Sequence, residues 1–143
     1  MAKQQVYRLV GNDQQYDFLL TGIICQHKDY RLCFELNRKL DINLVKCNDY
    51  ELYFSVRKTY SSFAKFGCKN QYEDHFVLLS NKGTRATLLQ EQPQLDYLLM
   101  ITQNQPNDKY AMLAKTLKEI PIILGAFQLD PLQLPSREYL IME

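Results

Sequence analysis

The chain has 143 residues, 23% of them charged and 46% hydrophobic, and seventeen Lys+Arg against sixteen Asp+Glu leave a formal net charge of +1. That length fits one domain able to bury roughly two-thirds of the surface its unfolded form exposes, and the composition excludes a disordered chain. The near-neutral balance supplies no field to steer a polyanion, which argues against a dedicated nucleic-acid binder; apolar runs such as Phe76 to Leu79 and Ile120 to Phe127 fall far short of the roughly 20 residues that span a bilayer.

The opening MAKQQVYRLVGNDQQ lacks the apolar core of a signal peptide, so the expected address is cytoplasmic. Val6 to Val10 and Asp17 to Cys25 read as strands. Gly22, inside the second, points to a bulge or a close backbone approach. From Asp29 to about Leu40 the period becomes helical, with Leu32, Cys33, Leu36 and Leu40 on one face and Arg31, Glu35, Arg38 and Lys39 spaced for ion pairs on the other. Asp29 stands where a helix cap is expected.

YELYFSVR alternates strictly, placing Tyr50, Leu52, Phe54 and Val56 on one side of a half-buried strand. Tyr60 to Phe66 is its candidate partner, followed by a polar excursion through Gly67, Asn70 and Glu73. His75 to Ser80 and Thr84 to Gln90 then flank Asn81-Lys82-Gly83, which predicts a bulged hairpin with Gly83 left-handed. Leu95 to Ile101, apolar on both faces, reads as a central strand. A helix follows Pro106 and carries Tyr110, Leu113, Ala114 and Leu117, ending by Pro121. Ile122 to Leu129 returns as a strand, by crossover or antiparallel return, and the tail from Asp130 runs extended or in short turns. The fold class is α+β: one domain over residues 1–143, an antiparallel or mixed sheet, and two main helices.

Within LQEQPQLDYLLMI (Leu89 to Ile101), the segment Leu89 to Tyr97 resembles the signature of the IPExxxVDY family of small, uncharacterised bacterial proteins. Glu91, Asp96 and Tyr97 match its fixed letters. Leu89 stands for the isoleucine and Leu95 for the valine; Gln90 replaces the proline and removes its fixed φ. KDYRLCFELNRKLDINL (Lys28 to Leu44) looks like the family's early helix and PSREYLIME (Pro135 to Glu143) like its closing segment. The resemblance implies a family without an assigned activity, so it identifies no substrate.

Chemistry has few footholds in this sequence. Glu91, Asp96 and Tyr97 could form an acid/base or small-molecule site, since carboxylates in different environments titrate apart; the alternative is that Asp96 takes hydrogen bonds from a neighbouring loop and Tyr97 anchors the core. Asp29-Tyr30-Arg31 and Arg137 offer guanidinium clamps for an anion. Their alternatives are an Arg31–Glu35 pair and a tail salt bridge from Arg137, through Glu91 or Asp96. Cys25, Cys33, Cys47 and Cys68 lack zinc spacing, and His27 and His75 stand alone, so neither metal nor cofactor is expected. Tyrosines interleaved with Lys58, Lys65 and Lys69 leave single-stranded nucleic acid as a weak alternative. The leading expectation is a non-catalytic cytosolic interaction or regulatory domain, binding an unidentified protein or a second copy of itself.

Overall fold

The structure is a computed structural model and describes residues 16–142. The strand expected over Val6 to Val10 lies outside the described residues. A six-stranded sheet, ordered β2-β5-β6-β7-β1-β8, comprises β1 (Leu19–Cys25), β2 (Val45–Lys46), β5 (Lys65–Lys69), β6 (His75–Ser80), β7 (Tyr97–Thr102) and β8 (Ile123–Leu129). Every neighbouring pair is antiparallel. β7 and β8 both pair antiparallel with β1, which lies between them, so they run parallel to each other and the intervening chain is a crossover. A separate hairpin joins β3 (Tyr50–Phe54) to β4 (Thr59–Phe63).

The side-chain alternation of β7 builds two cores at once. Tyr97, Leu99 and Ile101 enter a cluster with Leu32, Cys33 and Leu36 of helix α1 (Asp29–Leu40) and Leu113 and Leu117 of α2 (Leu113–Leu117). Leu98 and Met100 point the other way, against Phe54 and Phe63 of the hairpin, Ala86, Leu88, Leu89 and Leu95 of the long loop, and Leu134 and Leu140 of the tail. A strand covered on both faces needs apolar residues at consecutive positions, which is why this segment shows no polar alternation.

α1 carries the predicted pattern, with Leu40 only partly buried; Glu35 pairs with Arg31 at 3.4 Å and Arg38 at 4.0 Å, while Lys39 instead reaches Glu119 at 2.8 Å. Asp29 is not the cap: it occupies the first helical position and accepts from its neighbour, the Tyr30 N–H, at 2.6 Å. The alternation after Tyr50 stops at Phe54. Val56 is 96% exposed because Ser55–Lys58 form the hairpin turn, with Lys58 at φ 51°. The stretch around Gly67 is β5, held by its pairing with β6 rather than by its own composition. α2 spans only five residues, since turns occupy the preceding positions.

The hairpin predicted across Asn81-Lys82-Gly83 does not form. One isolated Lys82–Thr87 bridge replaces a strand, and Gly83 has no positive φ. Its missing side chain serves close packing instead: a Cβ there would fall 2.6 Å from a Phe63 ring carbon and 2.8 Å from the Ala86 carbonyl, and would overlap the Ser61 hydroxyl. Gly83→Ala is therefore expected to cost about 1 to 3 kcal/mol by overpacking, read as a lowered urea midpoint with unchanged slope. Gly22 meets the close-approach expectation in the same way: a Cβ there would lie 2.5 Å from a Leu95 methyl.

Candidate functional site

The loop before β7 owes its path to a residue outside it. Asn81 is fully buried at the end of β6, and its carboxamide donates to the carbonyls of Gln92 at 3.0 Å and Leu95 at 2.9 Å. Its side-chain oxygen accepts the Leu89 N–H at 2.8 Å, and its backbone carbonyl accepts that of Leu88 at 2.8 Å. One side chain thus supplies the donors and acceptor that a buried irregular segment cannot find in a ladder. The apolar flank of the loop, Leu88, Leu89 and Leu95, is thereby pressed against the sheet.

The three matched residues of that stretch leave the loop in different directions. Glu91 turns to the tail, where one oxygen accepts the Ser136 hydroxyl at 2.7 Å and the other the Ser136 N–H at 2.8 Å. Asp96 turns to β1, accepting the Cys25 N–H at 2.9 Å, with the Lys82 ammonium at 3.6 Å. Tyr97 enters the helix-side core and its hydroxyl donates to the His27 carbonyl at 2.7 Å. Burial, reinforced by the negative charge of Asp29, drives the Tyr97 phenol far above its ordinary range, so it stays protonated.

Asp96 and Tyr97 border a shallow cavity of about 290 Å³ shared with Cys25, His27, Lys28 and Lys82. Burial raises the Cys25 thiol as well, which removes it as a ready nucleophile. Glu91 is not among the lining residues. The Arg clamps do not assemble there either: Arg31 is paired with Glu35 on the outer face of α1, and Tyr30 is 67% exposed. Arg137 donates to the Leu134 carbonyl at 3.1 Å and lies 5.9 Å from the Tyr16 ring centroid. A larger apolar groove of about 470 Å³, between Phe18, Val77, Met100, Leu140 and Met142, holds none of the predicted site residues.

Arg137 is thus not the partner of either carboxylate. The tail is tied down through Glu91, but Ser136 is the donor, while the Arg137 guanidinium is engaged by the Leu134 carbonyl. Glu91→Gln and Ser136→Ala are each expected to cost about 1 to 2 kcal/mol, with the double variant clearly less than additive. Asp96→Asn combined with removal of the tail from Pro135 should instead be additive in urea melts, since Asp96 bonds to β1 and Lys82.

A second polar cluster centres on Asp74, which no sequence pattern singles out. Asp74, buried at the start of β6, accepts from the Lys109 ammonium at 2.8 Å, the Tyr110 hydroxyl at 2.7 Å and the Asn104 N–H at 2.9 Å. Lys109 also lies 4.2 Å from the Tyr72 ring centroid. Three residues from the β7–α2 connection are pinned to one carboxylate, yet nothing nearby in sequence marks Asp74 as their anchor. Asn81, Lys82 and Ser136 were missed for the same reason; full burial of an asparagine inside an expected turn is a tertiary property.

Tyr53 and Tyr60 lie on the hairpin with ring centroids 4.6 Å apart and planes tilted by 48°, Lys65 borders the apolar groove, and Lys69 pairs with Glu73 at 3.2 Å. Among the described residues no three His, Cys, Asp or Glu side chains gather as a metal-binding set, and no helix is long and apolar enough to cross a membrane. Cys25 and Cys33 are buried, Cys47 and Cys68 half-buried. Burial, with Asp29 nearby, lifts the Cys33 thiol to about 12. Native thiol titration is expected to modify Cys47 first and Cys33 only after denaturation. The chain matches no family model, no curated protein and no solved structure.

Proposed function

We propose that this chain is a non-catalytic, cytoplasmic protein-interaction domain related to the IPExxxVDY proteins. The observation that carries the reading is the commitment of Glu91, Asp96 and Tyr97 to separate bonds that tie loop, tail and first strand together. Glu91 is bound to the tail, away from the cavity that Asp96 and Tyr97 border, so the two matched carboxylates do not converge on one substrate position. The surface supports the same reading, because Tyr30 and Phe34 on α1 and Leu124 and Phe127 on β8 are large apolar side chains 46% to 67% exposed.

A small-molecule site at the Cys25, Lys82 and Asp96 cavity is the second reading, favoured by the loose 3.6 Å ion pair at its mouth. Two measurements on the full chain separate them. Immobilised protein is expected to retain a polypeptide ligand whether or not Lys82→Ala is present, while a metabolite thermal-shift screen gives no stabilising hit. A metabolite that raises the Tm of the wild type but not of Lys82→Ala would replace the interaction reading with the second one.

A further inference from the structure

The two ends of the main sheet are treated differently. β2 has only two residues, and its Lys46 is engaged with Asp49 at 2.6 Å. That is how an edge is blunted against pairing: short, charged and locally occupied. β8 forms the other end with seven residues, Ile123-Leu-Gly-Ala-Phe-Gln-Leu, containing no charge and no proline. Its outer edge has no strand partner among the described residues, and Leu124 and Phe127 stand on it 66% and 46% exposed.

We propose that β8 pairs antiparallel with β8 of a second copy of this chain, joining two sheets across a two-fold axis. The proposal rests on the interaction reading above and names the partner. Three features favour a second copy. A two-fold axis perpendicular to the sheet places identical strands antiparallel, so one surface serves both sides. An uncharged strand opposes no like charges when it meets itself, whereas a strand of Lys or Glu would.

The third feature is aromatic contact. Phe127 lies opposite Gly22 in the β1 ladder, and a Cβ on Gly125 would come 3.1 Å from the Phe127 ring, so these two β8 residues share the hairpin-side face. With Ala126 on the axis, each Phe127 faces the Gly125 of the other copy, over which that copy's own Phe127 ring lies, so the two aromatic rings meet across the axis. The same register sets Ile123 against Leu129 and Leu124 against Gln128. The pairing uses the β8 edge of both copies and leaves only the short, charged β2 at each outer end, so it stops at two copies.

Seven residues span about 24 Å, a contact shorter than that of an obligate dimer, so association should be reversible and concentration-dependent. Sedimentation equilibrium of the full chain from about 1 μM to about 1 mM, the range of weak specific complexes, is the test. The wild type is expected to pass from monomer to dimer mass. Phe127→Lys and Leu124→Lys should each raise the dissociation constant at least about tenfold, whereas Phe34→Lys on α1 leaves it unchanged.

Hydrogen exchange of the wild type supplies a readout independent of how the variants fold: amides of β8 should gain protection as concentration rises, and those of β2 should not. A monomer at every concentration overturns this proposal while leaving the interaction reading to its own capture experiment. A dimer that Phe127→Lys leaves intact, or one that protects α1 rather than β8, overturns it equally.

Discussion

Asn81→Ala is expected to lower the unfolding free energy by about 5 kcal/mol. The variant strips partners from the Leu89 N–H and from the Gln92 and Leu95 carbonyls, and each buried group left unsatisfied costs about 1 to 3 kcal/mol. The void admits little water, because Asn81 is fully buried and Leu88, Leu89 and Leu95 pack around the same loop. Asn81→Asp should also fail, since it directs carboxylate oxygen at carbonyls that now receive hydrogens. Urea unfolding of both variants checks this. A loss below about 1 kcal/mol would mean that the loop before β7 is held by its apolar flank alone.

Asp74→Ala should cost about 4 kcal/mol, because it removes the acceptor shared by Lys109, Tyr110 and the Asn104 backbone. Burial pushes the Asp74 carboxyl upward, but those three donors and the lysine charge outweigh it and hold the group at about 2, below the usual 3.8. A depressed folded-state value means that the unfolded chain takes up the proton first as pH falls. The ionised anchor therefore contributes fully above pH 4 and is lost as pH drops toward 2, a change of about 2 kcal/mol. Melts from pH 7 to pH 2 should show that loss in the wild type and a flatter profile in Asp74→Asn. Parallel profiles for the two proteins would contradict the assignment.

α1's amphipathic stripe and the return strand over Ile122 to Leu129 were legible as linear patterns, because both depend on residues adjacent along one element, whereas the place of that strand at the sheet edge was set by the sheet order. The site was legible only in part. Glu91, Asp96 and Tyr97 announce themselves as polar groups beside an apolar strand, but their partners Ser136, Cys25 and His27 lie 45, 71 and 70 positions away. Spacing along a chain carries no information about contacts at such separations. Charge alone points to Arg137 as a carboxylate's partner, whereas the serine one position earlier satisfies both oxygens of Glu91.

The sequence by itself determined the α+β class, α1 from Asp29 to Leu40, the buried character of the strand beginning near Leu95, and the return strand that became β8. Period and burial pattern suffice for these, since a two-sided strand must be apolar throughout and a one-sided helix must repeat every three to four residues. The tertiary structure alone decided that Thr84 to Gln90 is a loop wrapped on Asn81, that Gly67 lies within a strand, and that the matched carboxylates point apart. Those outcomes follow from what each backbone group could bond to once the sheet had closed around it, and a buried N–H takes the acceptor geometry offers rather than the one its neighbours in sequence suggest.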